Sequence, residues 1–304
     1  MDFSQRAAIA DTNEINAVLC PLLDAAVVEA WRKDYAATRG SGEGDVAKYR
    51  IGAGYIGTEC HRALGFQYHK AAKEVRESGV TAGELQRHAQ AGHWTEFKTA
   101  EWMKLTGMLI ETMQHDASGE VMVDQWGRPK QIGWKDSKDP ETGQYRLAGE
   151  VDGVITYVGD QALAALIKTP CVWESKKATD KKWKKFVKEK VIGADKKYYG
   201  QLQVNMGYLG ITQTLFSMLN LDTMKYYFEL IPFDQWHAQN LVNRAVDTFK
   251  TKTPFELPRL GRSEDDWVCK FCDYQQQCWH ESVPVRAAPV SGFFNPNEME
   301  DPPF

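Results

Sequence analysis

The sequence predicts an α/β domain, a sheet flanked by helices, with helical elements ahead of it and a cysteine-bearing lobe after it. Three observations predict this. Ile15, Val18, Leu19, Leu22, Leu23, Ala26, Val27 and Ala30 recur at helical period near the start. Val121 to Gly133 and Tyr145 to Tyr157 then read as antiparallel strands, and Ala165 to Trp173 is an apolar run of strand length that stops abruptly in charge. Beyond it, Lys197 to Tyr208 returns to helical period before a second pair of strands, Thr212–Asn220 and Thr223–Ile231, with Leu221-Asp222 at their turn.

Length and composition set the bounds. With 304 residues, 43% apolar and 26% charged, the chain is ordinary for a globular protein and allows one large domain or two small ones. No leader-like start and no apolar run of about twenty residues is read, so a cytoplasmic location is expected. A net charge of −4 argues against a protein that coats nucleic acid nonspecifically, though not against one that binds it in a local groove.

Taken in order, Asp11-Thr12-Asn13-Glu14 has capping-box spacing, and Pro21 predicts a break or kink in the helix that follows. Arg39 to Asp45 reads as a flexible loop. A second helix is predicted from Ile56 to Glu74, carrying Cys60, and a third from Thr81 to Met113, containing Gly92-His93-Trp94-Thr95-Glu96. The polar segment Asp136 to Gly143 predicts the turn between the first strands, and Gly153 beside Asp152 permits close backbone approach. Leu202, Met206 and Leu209 form the buried stripe of the helix over Lys197–Tyr208; Gln201 and Gln203 on it diverge by about 200°. Phe233 to Phe249 closes the core as a helix, and Pro254, Pro258 and Gly261 lead out of it.

The chemistry concentrates at Gly149-Glu150-Val151-Asp152-Gly153 and Trp173-Glu174-Ser175-Lys176-Lys177. Asp152 and Glu174 are hard oxygen donors of the kind Mg²⁺ or Mn²⁺ prefers, and strand alternation puts Glu174 and Lys176 on one face. The Lys176 ammonium would sit beside the ions and the Ser175 carbonyl could serve as a further ligand, an arrangement suited to phosphodiester hydrolysis. Alone, a Glu-x-Lys pair ending a strand is more often a solvated salt bridge. Directly after it come Lys177, Lys181, Lys182, Lys184, Lys185, Lys188 and Lys190, with Trp183 and Phe186 among them. Such a run is often only a solvated helix face, but beside a phosphodiester site it reads as a phosphate-tracking surface whose aromatics can stack on bases.

Cys269, Cys272 and Cys278 give C-x2-C-x5-C, and Cys60 is a distant fourth. In a cytoplasmic protein this clustering points to a metal or cluster site, and thiolates suit zinc and iron–sulfur alike. Cys20 and Cys171 read as core residues.

The order of these motifs resembles that of the PD-(D/E)xK nuclease superfamily, in particular phage-encoded and RecB-like exonucleases related to lambda exonuclease and the CRISPR adaptation nucleases. The resemblance covers roughly Ile51 to Trp279 and implies a restriction-endonuclease-like core: a central mixed sheet flanked by helices. The chain is read as a helical N-terminal region over 1–80 including Cys60, the nuclease core over 81–250, a cysteine-rich lobe over 251–282 and, from its Pro-rich, aperiodic composition, a disordered acidic tail over 283–304. In the family, a Gly-His-x-x-Glu phrase opens the helix before the catalytic hairpin, which gives Glu96, and less directly His93, a metal-ligand role beside Asp152, Glu174 and the Ser175 carbonyl. Gln201 aligns with the Gln of a Gln-x-x-x-Tyr motif, though Asn205 stands where the Tyr would be. Tyr198 joins the lysines as a DNA-contacting residue. One cysteine before the core and three after it match the layout of a [4Fe–4S] site, with Zn²⁺ as the alternative.

The function so implied is Mg²⁺- or Mn²⁺-dependent hydrolysis of DNA, by an exonuclease of phage-type recombination or processing that acts in the host cytoplasm and is open to oligomerisation. The resemblance fixes neither polarity nor strand preference. A DNA-binding or assembly module that keeps the scaffold without turnover is the alternative. Finally, Met299-Glu300-Asp301-Pro302-Pro303-Phe304 resembles the acidic tail by which bacterial single-stranded-DNA-binding proteins recruit partners, which would imply recombination or single-strand-binding partner proteins.

Overall fold

The computed structural model describes residues 12–39, 50–74, 81–124, 127–141 and 143–281. Asp11 of the expected capping box, nearly all of the loop expected over 39–45 and the tail from Val283, with its acidic tip, lie outside these residues. The chain divides into two compact units, Met1–Asp45 with Glu77–His93, and Val46–Arg76 with Trp94–Phe304.

In the first unit, helix α1 (Thr12–Arg39) continues through Pro21 without the expected break. Proline's fixed φ is helical, and the carbonyl that loses its donor belongs to Ala17, which is exposed where water can satisfy it. Residues 81–87, where a later helix begins, hold this helix through Asp24, which accepts from Thr81 Oγ1 and Arg87 Nη1, each at 2.5 Å. These hydrogen bonds hold the Asp24 carboxyl below its ordinary range. Leu19, Leu22 and Leu23, expected to pack, are exposed, and so is Cys20, expected in the core. The contacts from residues 81–87 fall on Asp24, one helical turn past Cys20.

The second unit holds the sheets. Strand β1 (Ile51–Gly52) leads into α2 (Ala53–Ile56) and α3 (His61–Tyr68), so of the helix expected over Ile56–Glu74 only α3 forms beyond Ile56. Gly57 caps the end of α2, and its backbone lies against Lys196 and Lys197, where a Cβ would come within 2.6 Å of the Lys196 carbonyl. Helix α4 (Ala82–Leu105) stops short of the expected Met113, because Gly107 at φ +87° turns the chain into β2 (Met108–Glu111). Val121 to Gly133 is not a strand: isolated bridges join Met113 to Gln131, His115 to Val121 and Val123 to Pro129, and Gly119 and Gly127 turn the chain at positive φ.

Strands β3 (Gly133–Lys138) and β4 (Tyr145–Glu150) form an antiparallel pair, joined in parallel by β1. The chain then crosses at Val151-Asp152 into β5 (Gly153–Val158), which belongs to the other sheet, so the strand expected over Tyr145–Tyr157 is split between two sheets. After α5 (Gln161–Ala164), β6 (Cys171–Ala178) carries the strand past the expected stop at Trp173, and residues 165–170 precede it as non-strand. Helices α6 (Asp180–Ala194) and α7 (Lys196–Leu209) follow, then the hairpin β7 (Gln213–Asn220) and β8 (Tyr226–Pro232), and α8 (Gln235–Phe249). A 3-10 turn (Pro254–Glu256), α9 (Trp267–Lys270) and α10 (Gln275–Trp279) make the final lobe.

The larger sheet has order β2-β5-β6-β7-β8, antiparallel except between β6 and β7, so the architecture is α/β with mixed sheets flanked by helices. Alternation along β6 serves both faces. Cys171 and Trp173 pack with Ala100 and Met103 of α4, while Val172 and Ala178 pack with Phe186, Leu202 and Met206 of α6 and α7. The sheet positions the site because β6 lies at its centre and its polar half extends beyond the end of β5.

Candidate active site

Pairing between β5 and β6 starts at Gly153↔Trp173 and runs back to Ile155↔Cys171, which leaves Glu174, Ser175 and Lys176 beyond the end of β5. Asp152 fills that edge: its Oδ2 accepts the Ser175 backbone N–H at 2.6 Å. A strand residue directs its N–H and C=O to the same edge, so the Ser175 carbonyl faces the side where Asp152 stands. Glu174 and Lys176, two apart, share a face, and Lys176 Nζ donates to Glu174 Oε1 at 2.5 Å. Helix α7, capped by Asp195 and ended by Gly210 in left-handed conformation, brings Gln201 to the same oxygen, with Nε2 donating at 3.0 Å.

Glu174 is 1% exposed, and its second oxygen, Oε2, is buried without a hydrogen-bond partner. An orphaned carboxylate oxygen in a protein interior is costly and calls for a cation. Burial, and then the negative charge of Asp152, push Glu174 up to about 7 despite Lys176. Glu96 of α4 feels the same field: burial, then Asp152, push it up to about 8, with Glu174 adding to the rise and Lys176 opposing it. Burial works to depress the Lys176 ammonium, but Glu174 and Asp152 outweigh it and hold the group charged. Three carboxylates thus repel one another around one ammonium. Their hard oxygens fit Mg²⁺ or Mn²⁺ in kind, although among the described residues no three His, Cys, Asp or Glu side chains stand ready-formed around a metal position.

Other residues singled out in the sequence fall differently. Gly92-His93-Trp94-Thr95-Glu96 lies in the middle of α4 rather than at its start, and His93 is the last residue of the first unit. Gln203 turns away from Glu174, donating to the Pro232 carbonyl and accepting from Asp234 N–H. Asn205, at the motif's Tyr position, is fully buried between the Glu150 carbonyl and the Trp134 indole. Nothing in local composition marks this arrangement beyond a polar residue on the buried stripe.

The basic segment forms α6. Lys181, Lys184 and Lys185 are exposed; Lys184 pairs with Asp180 at 2.6 Å, and Lys185 Nζ donates to the Ala194 carbonyl. Lys182 Nζ lies 4.7 Å from the Tyr198 ring centroid, and Lys176 Nζ 5.4 Å from it, so Tyr198 links the strand lysine to the basic helix. Lys177 is partly buried, and burial followed by Lys182 lowers its ammonium below the ordinary range. Phe186, expected to offer a stacking face, is wholly buried, and Trp183 packs partly buried on the same core. Helical period sends both rings inward between the lysines.

Cys60, at the N-cap of α3, lines one small cavity with Cys269, Cys272 and Cys278, beside Phe66, Arg259 and Trp279. None of the four forms a disulfide. Gly261 leaves room for Cys269: a Cβ there would collide with its Sγ. Arg62 lies beside Cys278 and ties α3 to the lobe through the carbonyls of Leu257 and Phe255. Burial pushes Cys272 up to about 11. Thiols are donors of the kind zinc and iron–sulfur clusters take, although among the described residues no three of these side chains stand ready-formed around a metal position. The arginines gave no signal in the sequence because they sit outside the cysteine spacing. Cys171, by contrast, is core, pushed up to about 12 by burial.

No protein-family model matches the sequence, and no curated protein matches it. Among solved structures, the chain has a distant likeness to an alkaline exonuclease, LHK-Exo, from Laribacter hongkongensis: 14% identity and a TM-score of 0.37, over 67% of this chain and 88% of that one. A second structure of that exonuclease, in complex with dAMP, gives 14% and 0.37 over 66% and 86%. The protein SSO0001 is 15% identical, with a TM-score of 0.41, over 86% of this chain and 95% of that one. At these TM-scores the likeness carries no argument about activity. Among the described residues no helix is long and apolar enough to cross a membrane.

Proposed function

We propose that the protein is a metal-dependent DNA nuclease of the PD-(D/E)xK type, hydrolysing phosphodiester bonds at the edge where β6 outruns β5. The observation that carries this reading is the buried Glu174 carboxylate, with one oxygen on Lys176 and Gln201 and the other without a partner, among the charges of Asp152 and Glu96. Glu96, Asp152, Glu174 and the Ser175 carbonyl would hold Mg²⁺ or Mn²⁺. Such an ion supplies Lewis-acid charge to the phosphate and makes hydroxide accessible near neutral pH.

The chain's own groups do the rest. Lys176 positions the attacking water and offsets negative charge growing on the phosphate. Gln201 fixes the rotamer of Glu174 by holding Oε1. Lys177, Lys181, Lys182, Lys184 and Lys185 on and before α6, with Tyr198, lead DNA toward that edge through phosphate contacts. The partly buried Trp183 supports α6 rather than stacking on bases. Cys60, Cys269, Cys272 and Cys278 would hold a [4Fe–4S] cluster, or Zn²⁺, that clamps α3 to the final lobe.

A cleavage assay on linear and circular DNA with Mn²⁺ or Mg²⁺ against EDTA tests the proposal. Metal-dependent degradation by the wild type, lost by about 10²-fold or more in Lys176→Ala, is the expected result. Equal degradation by Lys176→Ala rejects the site; no cleavage by the wild type with any divalent ion favours a binding or assembly module on the same scaffold.

A further inference from the structure

From the contacts of α7 we infer that Asn205 is a positioning residue that sets the separation of the Asp152 and Glu174 carboxylates; this rests on the nuclease reading above. Asp152 meets β6 through its own carboxylate, which accepts the Ser175 N–H, and β5 pairs with β6 from the next residue on, at Gly153↔Trp173; the backbone before Asp152 has to be held separately. Glu174 lies on β6 of the larger sheet, whereas Asp152 follows β4 of the smaller one, at the crossing where the chain leaves one sheet for the other. Helix α7 reaches both. Gln201 Nε2 donates to Glu174 Oε1, and one turn on Asn205 Nδ2 donates to the Glu150 carbonyl at 3.1 Å, two residues before Asp152.

The amide of Asn205 cannot turn freely. Its Oδ1 accepts from Trp134 Nε1 at 2.8 Å, the Trp134 ring stacks on Tyr208 with centroids 3.8 Å apart, and the Tyr208 hydroxyl donates to Asp136 Oδ2 at 2.6 Å. Residue 149 must be glycine for this approach, since a Cβ there would lie 2.7 Å from Asn205 Oδ1 and 2.7 Å from Trp134. Asn205 is 0% exposed, so bulk solvent does not compete for these bonds. The helix therefore acts as a spacer, with Gln201 on one acid and Asn205 on the backbone that presents the other.

The test is Mn²⁺ binding, read by the loss of the free-ion electron-paramagnetic-resonance signal, in wild type, Asn205→Asp and Trp134→Phe, beside thermal midpoints. Asn205→Asp turns an oxygen toward the Glu150 carbonyl and is expected to weaken Mn²⁺ by about 10- to 100-fold, the usual effect of removing a group that orients a metal ligand. Trp134→Phe keeps a ring over Tyr208 and removes only the donor that aims the amide, so it is expected to weaken Mn²⁺ in the same direction and less. Should Asn205→Asp not fold, Trp134→Phe decides alone. Lower thermal midpoints with wild-type Mn²⁺ affinity in the folded variants would make Asn205 a packing residue and overturn the inference. A wild type that binds no Mn²⁺ would overturn the nuclease reading itself, and this inference with it.

Discussion

Lys176 Nζ lies 2.5 Å from Glu174 Oε1, two residues away on one strand, and the other oxygen of that carboxylate is buried without a hydrogen bond. Half of a buried carboxylate is thus neutralised by the chain and half is left for something else. Replacing Lys176 by Met should leave Glu174 buried without its charge partner. We expect a drop of about 3 kcal/mol in stability at pH 8 in EDTA, by denaturant titration, at the scale of breaking a buried ion pair. Glu174→Gln removes the other partner of the same pair and should abolish cleavage.

The raised carboxyl groups give a signed pH dependence. Glu96 rises from an ordinary 4.5 to about 8 and Glu174 to about 7, so between about 4.5 and 8 the folded protein holds more protons than the unfolded chain. Stability from these groups is present below that window and lost as pH rises through it. The thermal midpoint in EDTA should fall between about pH 5.5 and about pH 8.5, and Mn²⁺ should restore it mostly at the upper end, because it competes with protons for the same oxygens. Glu96→Gln should flatten the fall.

Thiol labelling separates the two cysteines outside the cavity. Cys20 is exposed and should react first with a disulfide reagent in the native protein. Cys171, buried and pushed up to about 12, should react only on unfolding. Labelling of Cys171 at native rates would contradict its place in the core.

DNA binding divides the α6 residues. Lys181→Ala should weaken binding without regard to sequence and lower the salt slope by roughly 0.7–0.9 for each phosphate that is no longer neutralised. Trp183→Ala should lower the thermal midpoint instead, since that ring packs on the core. A binding titration at several salt concentrations distinguishes them.

Local pattern made much of the site readable. Strand alternation places Glu174 and Lys176 together, and helical angle separates Gln201, on Glu174, from Gln203, on Pro232 and Asp234. Element ends were less readable, because they depend on distant contacts. Gly57 caps the end of α2 where its backbone lies against Lys196 and Lys197, and the Tyr145–Tyr157 run divides at Asp152 because its two halves join different sheets. The burial of Phe186 and the clamp from Asn205 to Glu150 are tertiary facts of the same kind. A capping box or a heptad is written in neighbours; these contacts are not.

The most direct measurement is a crystal structure of the protein grown with Mn²⁺, with an anomalous difference map at the manganese edge. A peak within about 2.0–2.2 Å of oxygens of Asp152 and Glu174 is the expected result. A map with no peak between those two carboxylates, in crystals saturated with Mn²⁺, would contradict the account.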